Sequence, residues 1–312
     1  MSKKKEVIVN IPKKNKIRNG SVVADVIIYA FMAVLSFVFL YPLYQVLVNS
    51  ISDPGVVATK NGLLLWPKGV HFDAYRVVFA NKNIWIGFKN TVVYMVLGTS
   101  FQYLITVLTA YPLSIKNLTF KKPILIYFTI SMYFGGGLIP YFILINNLGL
   151  MNSMWVLIIP AGVNVYNMII MRTQFVNLPE ELKEAAYIDG AGDGTILFRI
   201  LLPLSTAVTA VLVLFTAVGY WNMWFEPMIY LTKREMYPIQ SILREILIDN
   251  AAIGQAGRAG VQTKLNKNID QAAVNALIKY ATILVTTVPI LCVYPFAQKY
   301  FVKGVMVGSL KG

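Results

Sequence analysis

The chain has 312 residues, 57% of them hydrophobic and only 13% charged, with a formal net charge of +14 and a mean hydropathy of +0.61. Soluble domains carry about 45–50% apolar and about 25% charged residues, so this chain needs lipid as part of its solvent. One cysteine, Cys292, and one histidine, His71, exclude disulfides within one chain, Cys-based metal sites and His-rich metal centres or relays.

The amino terminus opens with Lys3, Lys4, Lys5, Lys13, Lys14, Lys16 and Arg18, which make 1–21 a basic segment expected in the cytoplasm. The apolar run that follows, 22–48, is too long for a signal peptide and is closed by no small-x-small site, so it reads as an uncleaved first helix. Further runs lie at 91–113, 123–145, 154–171, 204–231 and 277–297. About twenty apolar residues in a helix span the roughly 30 Å of a bilayer's hydrocarbon. The expectation is an all-α polytopic membrane protein with six transmembrane helices and one membrane domain over 22–312.

An even number of spans puts both termini on one side. With the basic start inside, sixteen of the 28 Lys and Arg fall in the inside segments. The rest sit in or at the edges of two longer outside loops, 49–89 and 232–276, and His71 reads as a residue of the first. No basic stripe with interleaved aromatics stands apart from these flanks, which argues against a nucleic-acid partner. The expectation is therefore a membrane protein with both termini in the cytoplasm.

The fourth run carries helix breakers and polar residues. In 154–171, Pro160, Gly162, Asn164 and Asn167 lie in the interior, and such residues survive in lipid only where other helices or a water-filled cavity satisfy them. Pro42, Pro112, Pro140 and Pro289 lie within or near the ends of other runs and argue for bent helices. No internal repeat of the inverted kind is evident.

The inside segment 177–203 reads NLPEELKEAAYIDGAGDGTILFRILLP. Pro179 suits a first helical turn, and Glu180 and Glu181 favour the positive end of the helix dipole. Leu182, Ala185 and Ala186 give one small, apolar face. Gly190, Gly192 and Gly194 break this helix, Asp193 or Thr195 can cap a second one, and Pro203 leads into the fifth span. Such a helix-turn-helix serves as a docking element, or packs as a plain loop.

Here the chain resembles a known family. Glu184-Ala185-Ala186, three residues, Gly190, nine residues, then Ile200, Leu202 and Pro203 match the EAA-x3-G-x9-I-x-L-P motif of permease subunits of binding-protein-dependent ABC importers. The closing QKYFVKGVMVGSLKG is similar to the tail of maltose-type permeases of the MalG kind. The stretches GGGLIPYFIL at 135–144 and NSISDPGVVATKNGLLLWPKG at 49–69 look most like LplC/YtcP-like oligosaccharide or polysaccharide permeases.

The resemblance implies a type I ABC importer permease fold. It implies a coupling loop over 172–203, in which the helix around Glu184 sits in a groove of an ATPase subunit, with Glu184 making polar contacts and Ala185 and Ala186 allowing a close fit. Gly190 makes the turn, Asp189 and Asp193 accompany it, and Ile200, Leu202 and Pro203 fix the second helix against the membrane domain. It further implies a second permease, two ATPase subunits, an extracellular solute-binding protein reached by part of 232–276, and a carbohydrate cargo. No G-x-x-x-x-G-K-[ST] loop occurs in the chain, so ATP and magnesium are expected on the partner ATPases, and no cofactor and no metal is expected on this subunit.

For the solute pathway, Tyr220, Trp221, Asn222, Trp224 and Glu226 combine aromatic faces with polar groups, as sugars require, although an interfacial aromatic belt gives the same pattern. Asn164, Tyr166 and Asn167 form a second candidate set. The rival reading is an ion-coupled secondary sugar transporter, for which Glu226 is the acidic residue offered. A membrane-embedded enzyme is opposed by the shortage of His, Cys and clustered acids.

Overall fold

A computed structural model of the chain describes residues 19–59, 63–248, 277–293 and 295, and among these there is no strand. The basic start 1–18 and the stretch 249–276 lie outside the described residues. Helix α1 (Asn19–Ser50) is a 32-residue rod whose side chains are largely exposed until Val48, Asn49 and Ser50 turn inward. Short helices α2 (Pro54–Thr59) and α3 (Asp73–Ala80) follow. Asp53 Oδ1 accepts from the backbone N–H of Gly55 at 2.9 Å and starts α2, while Oδ2 lies 3.5 Å from Nε2 of His71. His71 is thus a loop residue, as read.

Helix α4 (Lys82–Ser114) is the mast of the structure. It starts at Asn81, whose side chain accepts from the N–H of Asn83 at 3.0 Å. Its buried positions include Gly87, Thr91, Gly98, Thr106 and Ala110, all small, and small residues let helices approach closely where lipid offers no hydrophobic drive between them. At Gly98 the approach is extreme: a Cβ there would lie 2.1 Å from the ring of Tyr220.

The chain then runs through α5 (Lys121–Tyr133) and α6 (Leu138–Asn147), α7 (Trp155–Ile158), a 3-10 turn (Pro160–Gly162), and α8 (Val165–Asn177). It continues with α9 (Glu181–Ile188), α10 (Asp193–Thr195), a π turn (Ile196–Leu201), α11 (Leu202–Leu204) and α12 (Thr206–Trp221). Last come α13 (Phe225–Tyr230), a 3-10 turn (Arg234–Met236), α14 (Ile239–Ile248) and α15 (Leu277–Val293).

The expected spans are not six continuous rods. Among the described residues, only Val22–Ser50 and Lys82–Ser114 are long and apolar enough to cross a membrane unbroken. Three bent pairs bring the number to five: α5 with α6 at 113°, α7 and its 3-10 turn with α8 at 45°, and α10–α11 with α12 at 86°. The expected helix 123–145 breaks at Gly135–Gly137, where Gly137 takes φ +84 and a run of glycines gives the helix no propensity. The expected helix 204–231 ends at Trp221, and α15 is too short to qualify as a span by itself.

Packing concentrates at three levels along α4. At its amino-terminal end, Ile84 meets Val48, Val57, Ala74 and Val78, the Ile239, Ile242 and Ile246 stripe of α14, and Leu277, Ile278 and Ala281 of α15. Higher along α4, Tyr94 packs with Ile145, Val156, Leu157, Tyr220 and Tyr230. At its carboxy-terminal end, Val107, Ala110 and Leu113 meet Met168, Met171 and Phe175 of α8 and the helices that follow.

Residues 232–248, expected as the first part of an outside loop, are folded and strapped to α4. Asn90 Nδ2 donates to the carbonyls of Glu235 (2.7 Å) and Tyr237 (3.1 Å), Tyr94 Oη donates to Met236 O (2.8 Å), and the N–H of Ile239 donates to Thr91 Oγ1 (2.8 Å). Each bond satisfies a backbone group that irregular chain would otherwise leave open.

Candidate coupling loop and pathway residues

The helix-turn-helix at 177–203 caps the carboxy-terminal end of α4. Helix α9 closes in a Schellman turn: Ala191 N–H donates to Ala186 O at 2.9 Å and Gly190 N–H to Tyr187 O at 3.0 Å. Gly190 sits at φ +78 with no atom within 4 Å of a Cβ position, so glycine is required there by backbone conformation and not by space. Beyond the turn, Pro203 has no N–H to donate, and the Leu202 N–H reaches back to Leu197 O across a π turn. The 86° bend between this piece and α12 follows at Ser205, so the second helix lies across the bundle's end instead of continuing into it.

The two faces of the loop differ. Ile196 and Leu201 are fully buried, and with Leu197 and Ala186 they fill the space between the ends of α4 and α8. Leu182, Glu184, Ala185, Tyr187 and Asp189 are exposed, and Ile188 is 86% exposed. The motif's two alanines therefore divide: Ala185 faces out, while Ala186 lets α9 approach the chain's own core. Ile200 and Leu202 are half-buried and Pro203 is exposed at the turn.

Polar contacts lock the loop to the bundle. The Asp193 Oδ1 accepts from the hydroxyls of Tyr111, near the end of α4, and Tyr187, on α9, both at 2.6 Å. These two bonds hold the Asp193 carboxyl below its usual range, and the same carboxylate raises the Tyr187 hydroxyl. Asp193 was expected as a helix cap; it makes no cap bond, because the tyrosine hydroxyls occupy it. Arg172 Nε donates to Leu113 O (2.8 Å) and Lys183 Nζ to Phe175 O (3.2 Å), which satisfies orphan carbonyls at the ends of α4 and α8. Lys116 pairs with Glu180 across the same junction.

The candidate pathway residues separate into structural and exposed sets. Tyr220 is buried and donates its hydroxyl to Leu157 O at 3.1 Å. Trp221 is buried with its ring 6.2 Å from that of Phe88. Asn222 folds back to Val218 O (3.0 Å) and ends α12. Asn164 caps α8 by accepting from the Asn167 N–H at 3.0 Å. Asn167 is buried in a relay that joins three helices: its Nδ2 donates to Thr216 Oγ1 (3.4 Å), that hydroxyl donates to Gln102 Oε1 (2.7 Å), and Gln102 Nε2 donates to Ala161 O. The relay satisfies the carbonyl freed by the Pro160–Gly162 break, so these polar groups have a structural role in the bundle.

Trp224, Glu226 and Tyr166 remain exposed. Glu226 lies in the first turn of α13, whose Pro227 and Tyr230 are buried. Sequence reading missed Tyr111, Tyr187, Gln102 and Thr216. Gln102 had a legible signal, as the one amide in 91–113; Tyr111 and Tyr187 had none, since tyrosine is ordinary at span ends.

The described residues form an all-helical bundle with an exposed helix-turn-helix at one end. A solved structure of a bacterial ABC transporter involved in the import of the acidic polysaccharide alginate contains a chain that superposes at TM-score 0.81, with 27% identity over 92% of this chain and 100% of that one. Among curated relatives, the polygalacturonan/rhamnogalacturonan transport system permease protein YtcP of Bacillus subtilis is 36% identical, covering 92% of this chain and 98% of its own length. The protein LplC of the same organism is 34% identical over 93% and 95%. No protein-family model matches the chain. The chain belongs to the permease subunits of sugar ABC importers.

Proposed function

We propose that this subunit forms one half of a translocation pathway for acidic oligosaccharides, driven by separate ATPases that dock on 172–203. Its partners are then a second permease, two ATPase subunits that handle ATP and magnesium, and an extracellular solute-binding protein. The six apolar runs cross the plasma membrane, α15 and the bent pairs included, with both termini in the cytoplasm and 232–276 outside. The observation that carries the coupling role is the two-faced loop: Ile188, Leu182 and Ala185 face outward on a helix whose opposite side is anchored to α4 and α8. An apolar residue 86% exposed on a charged face fits a groove in another protein.

The mechanism follows from that anchoring. When the ATPases close on ATP, α9 moves with them. Because Asp193, Ile196 and Leu201 tie the loop to α4 and α8, the displacement reaches those helices as a rigid-body shift. The cavity between two permeases opens outward, the binding protein releases its cargo, and hydrolysis restores the inward state. The acidic cargo is supported by the polygalacturonan/rhamnogalacturonan and alginate systems to which similar permeases belong and by charge, since the two outside loops, 49–89 and 232–276, hold eleven Lys and Arg against six Asp and Glu.

Exchanging Ile188→Asp tests the docking face without touching the core. The variant is expected to insert and fold normally but to lose co-purification of the ATPase. Retention of the ATPase at wild-type level would refute the coupling assignment.

A further inference from the structure

Trp224 and Arg244 stand apart from the structural aromatics. Trp224, at the entry to α13, is 37% exposed, and the guanidinium carbon of Arg244 lies 3.6 Å from the centre of its indole ring. Two elements fix the pair. Helix α14 is pinned on one side by Ile239, Ile242 and Ile246, and on the other Ser241 Oγ donates to Trp224 O at 3.3 Å.

The neighbouring charges are accounted for elsewhere. Arg234 pairs with Glu245 at 2.8 Å, whereas among the described residues no Asp or Glu lies within 4.0 Å of the Arg244 guanidinium. Arg244 is a half-buried cation held over an aromatic face, with no carboxylate partner among the described residues. Stacking uses the face of a guanidinium and leaves its edge, with N–H donors in a fixed fork, available to a planar acceptor. The exposed part of Trp224 beside it offers a surface for the C–H face of a pyranose ring.

We infer that Arg244, positioned on Trp224, binds the carboxylate of a uronic-acid residue of the cargo and makes this subunit selective for acidic over neutral oligosaccharides. The inference rests on the acidic-oligosaccharide reading above. It assigns the selectivity to one side chain, and it gives Trp224 a role that Tyr220 and Trp221, buried in the bundle, do not share.

The test compares uptake of a tetragalacturonate with uptake of its methyl ester, in proteoliposomes holding the complete transporter with its binding protein. Wild type is expected to prefer the acid. Arg244→Gln should raise KM for the acid about tenfold, the order expected for losing a charge-assisted bond, and leave KM for the ester and kcat for both unchanged. Arg244→Lys, which keeps the charge and loses the planar fork, should fall between. Equal losses for acid and ester would assign Arg244 to structure or to lipid headgroups and overturn the inference, as would an unchanged preference in Arg244→Gln. Wild type that transports neither sugar would overturn the acidic-cargo reading, and this inference with it.

Discussion

Replacing Tyr111 by Phe removes one hydroxyl from the end of α4 and leaves its ring packed against α8 and the loop. That hydroxyl donates 2.6 Å to Asp193 Oδ1, which also accepts 2.6 Å from Tyr187. A hydrogen bond to a charged acceptor contributes about 1.5–3 kcal/mol where water is excluded; Asp193 is exposed, so screening brings the figure to about 1 kcal/mol. Asp193→Asn removes the charge that both tyrosines bond and should cost more than Tyr111→Phe, and the double variant little more than Asp193→Asn alone, because the Tyr111 contact cannot be lost twice. The carboxyl titrates below its usual range, so the contact is complete above the ordinary carboxylate pKa of about 3.9 and fades only as pH falls through the lowered value. Assays at neutral pH therefore report the intact latch. Thermal unfolding of the purified subunit gives the stability cycle, and the ratio of sugar transported to ATP hydrolysed gives the coupling. Both single variants should keep the ATPase bound and lower that ratio. Additive losses in the double variant, or unchanged transport per ATP, would refute the view that this contact transmits the movement of the loop.

The glycines make a paired prediction. Gly98→Ala puts a methyl group into the Tyr220 ring and should destabilise by about 1–3 kcal/mol, whereas Gly190→Ala meets open space and should cost about 1 kcal/mol from its φ of +78 alone; thermal unfolding separates the two. Gln102→Leu removes the middle of the relay between α4, α8 and α12 and should cost about 0.6–1.7 kcal/mol, measured as detergent-solubilised thermal stability, with ATPase binding unaffected because the docking face lies at the other end of the loop contacts.

Composition and run length alone established that this is a helical membrane protein, because about twenty consecutive apolar residues have no stable home in water. The motif spacing from Glu184 to Pro203 located the helix-turn-helix and its glycine turn, since a left-handed backbone position and a proline start are local requirements. Where the apolar runs would bend was only partly legible. Pro160 marked one break and the one at the glycines 135–137 went unread, because a residue's cost in a helix does not fix whether or by what angle it bends, which neighbours decide. The division of Ala185 from Ala186, the capture of Asp193 by two tyrosines 82 and 6 residues away, and the hydrogen bonds that tie Asn167 and Tyr220 into the bundle were tertiary decisions. Sequence states which groups must find a partner in lipid; only the packed helices determine whether that partner is another side chain, a freed carbonyl or a passing solute.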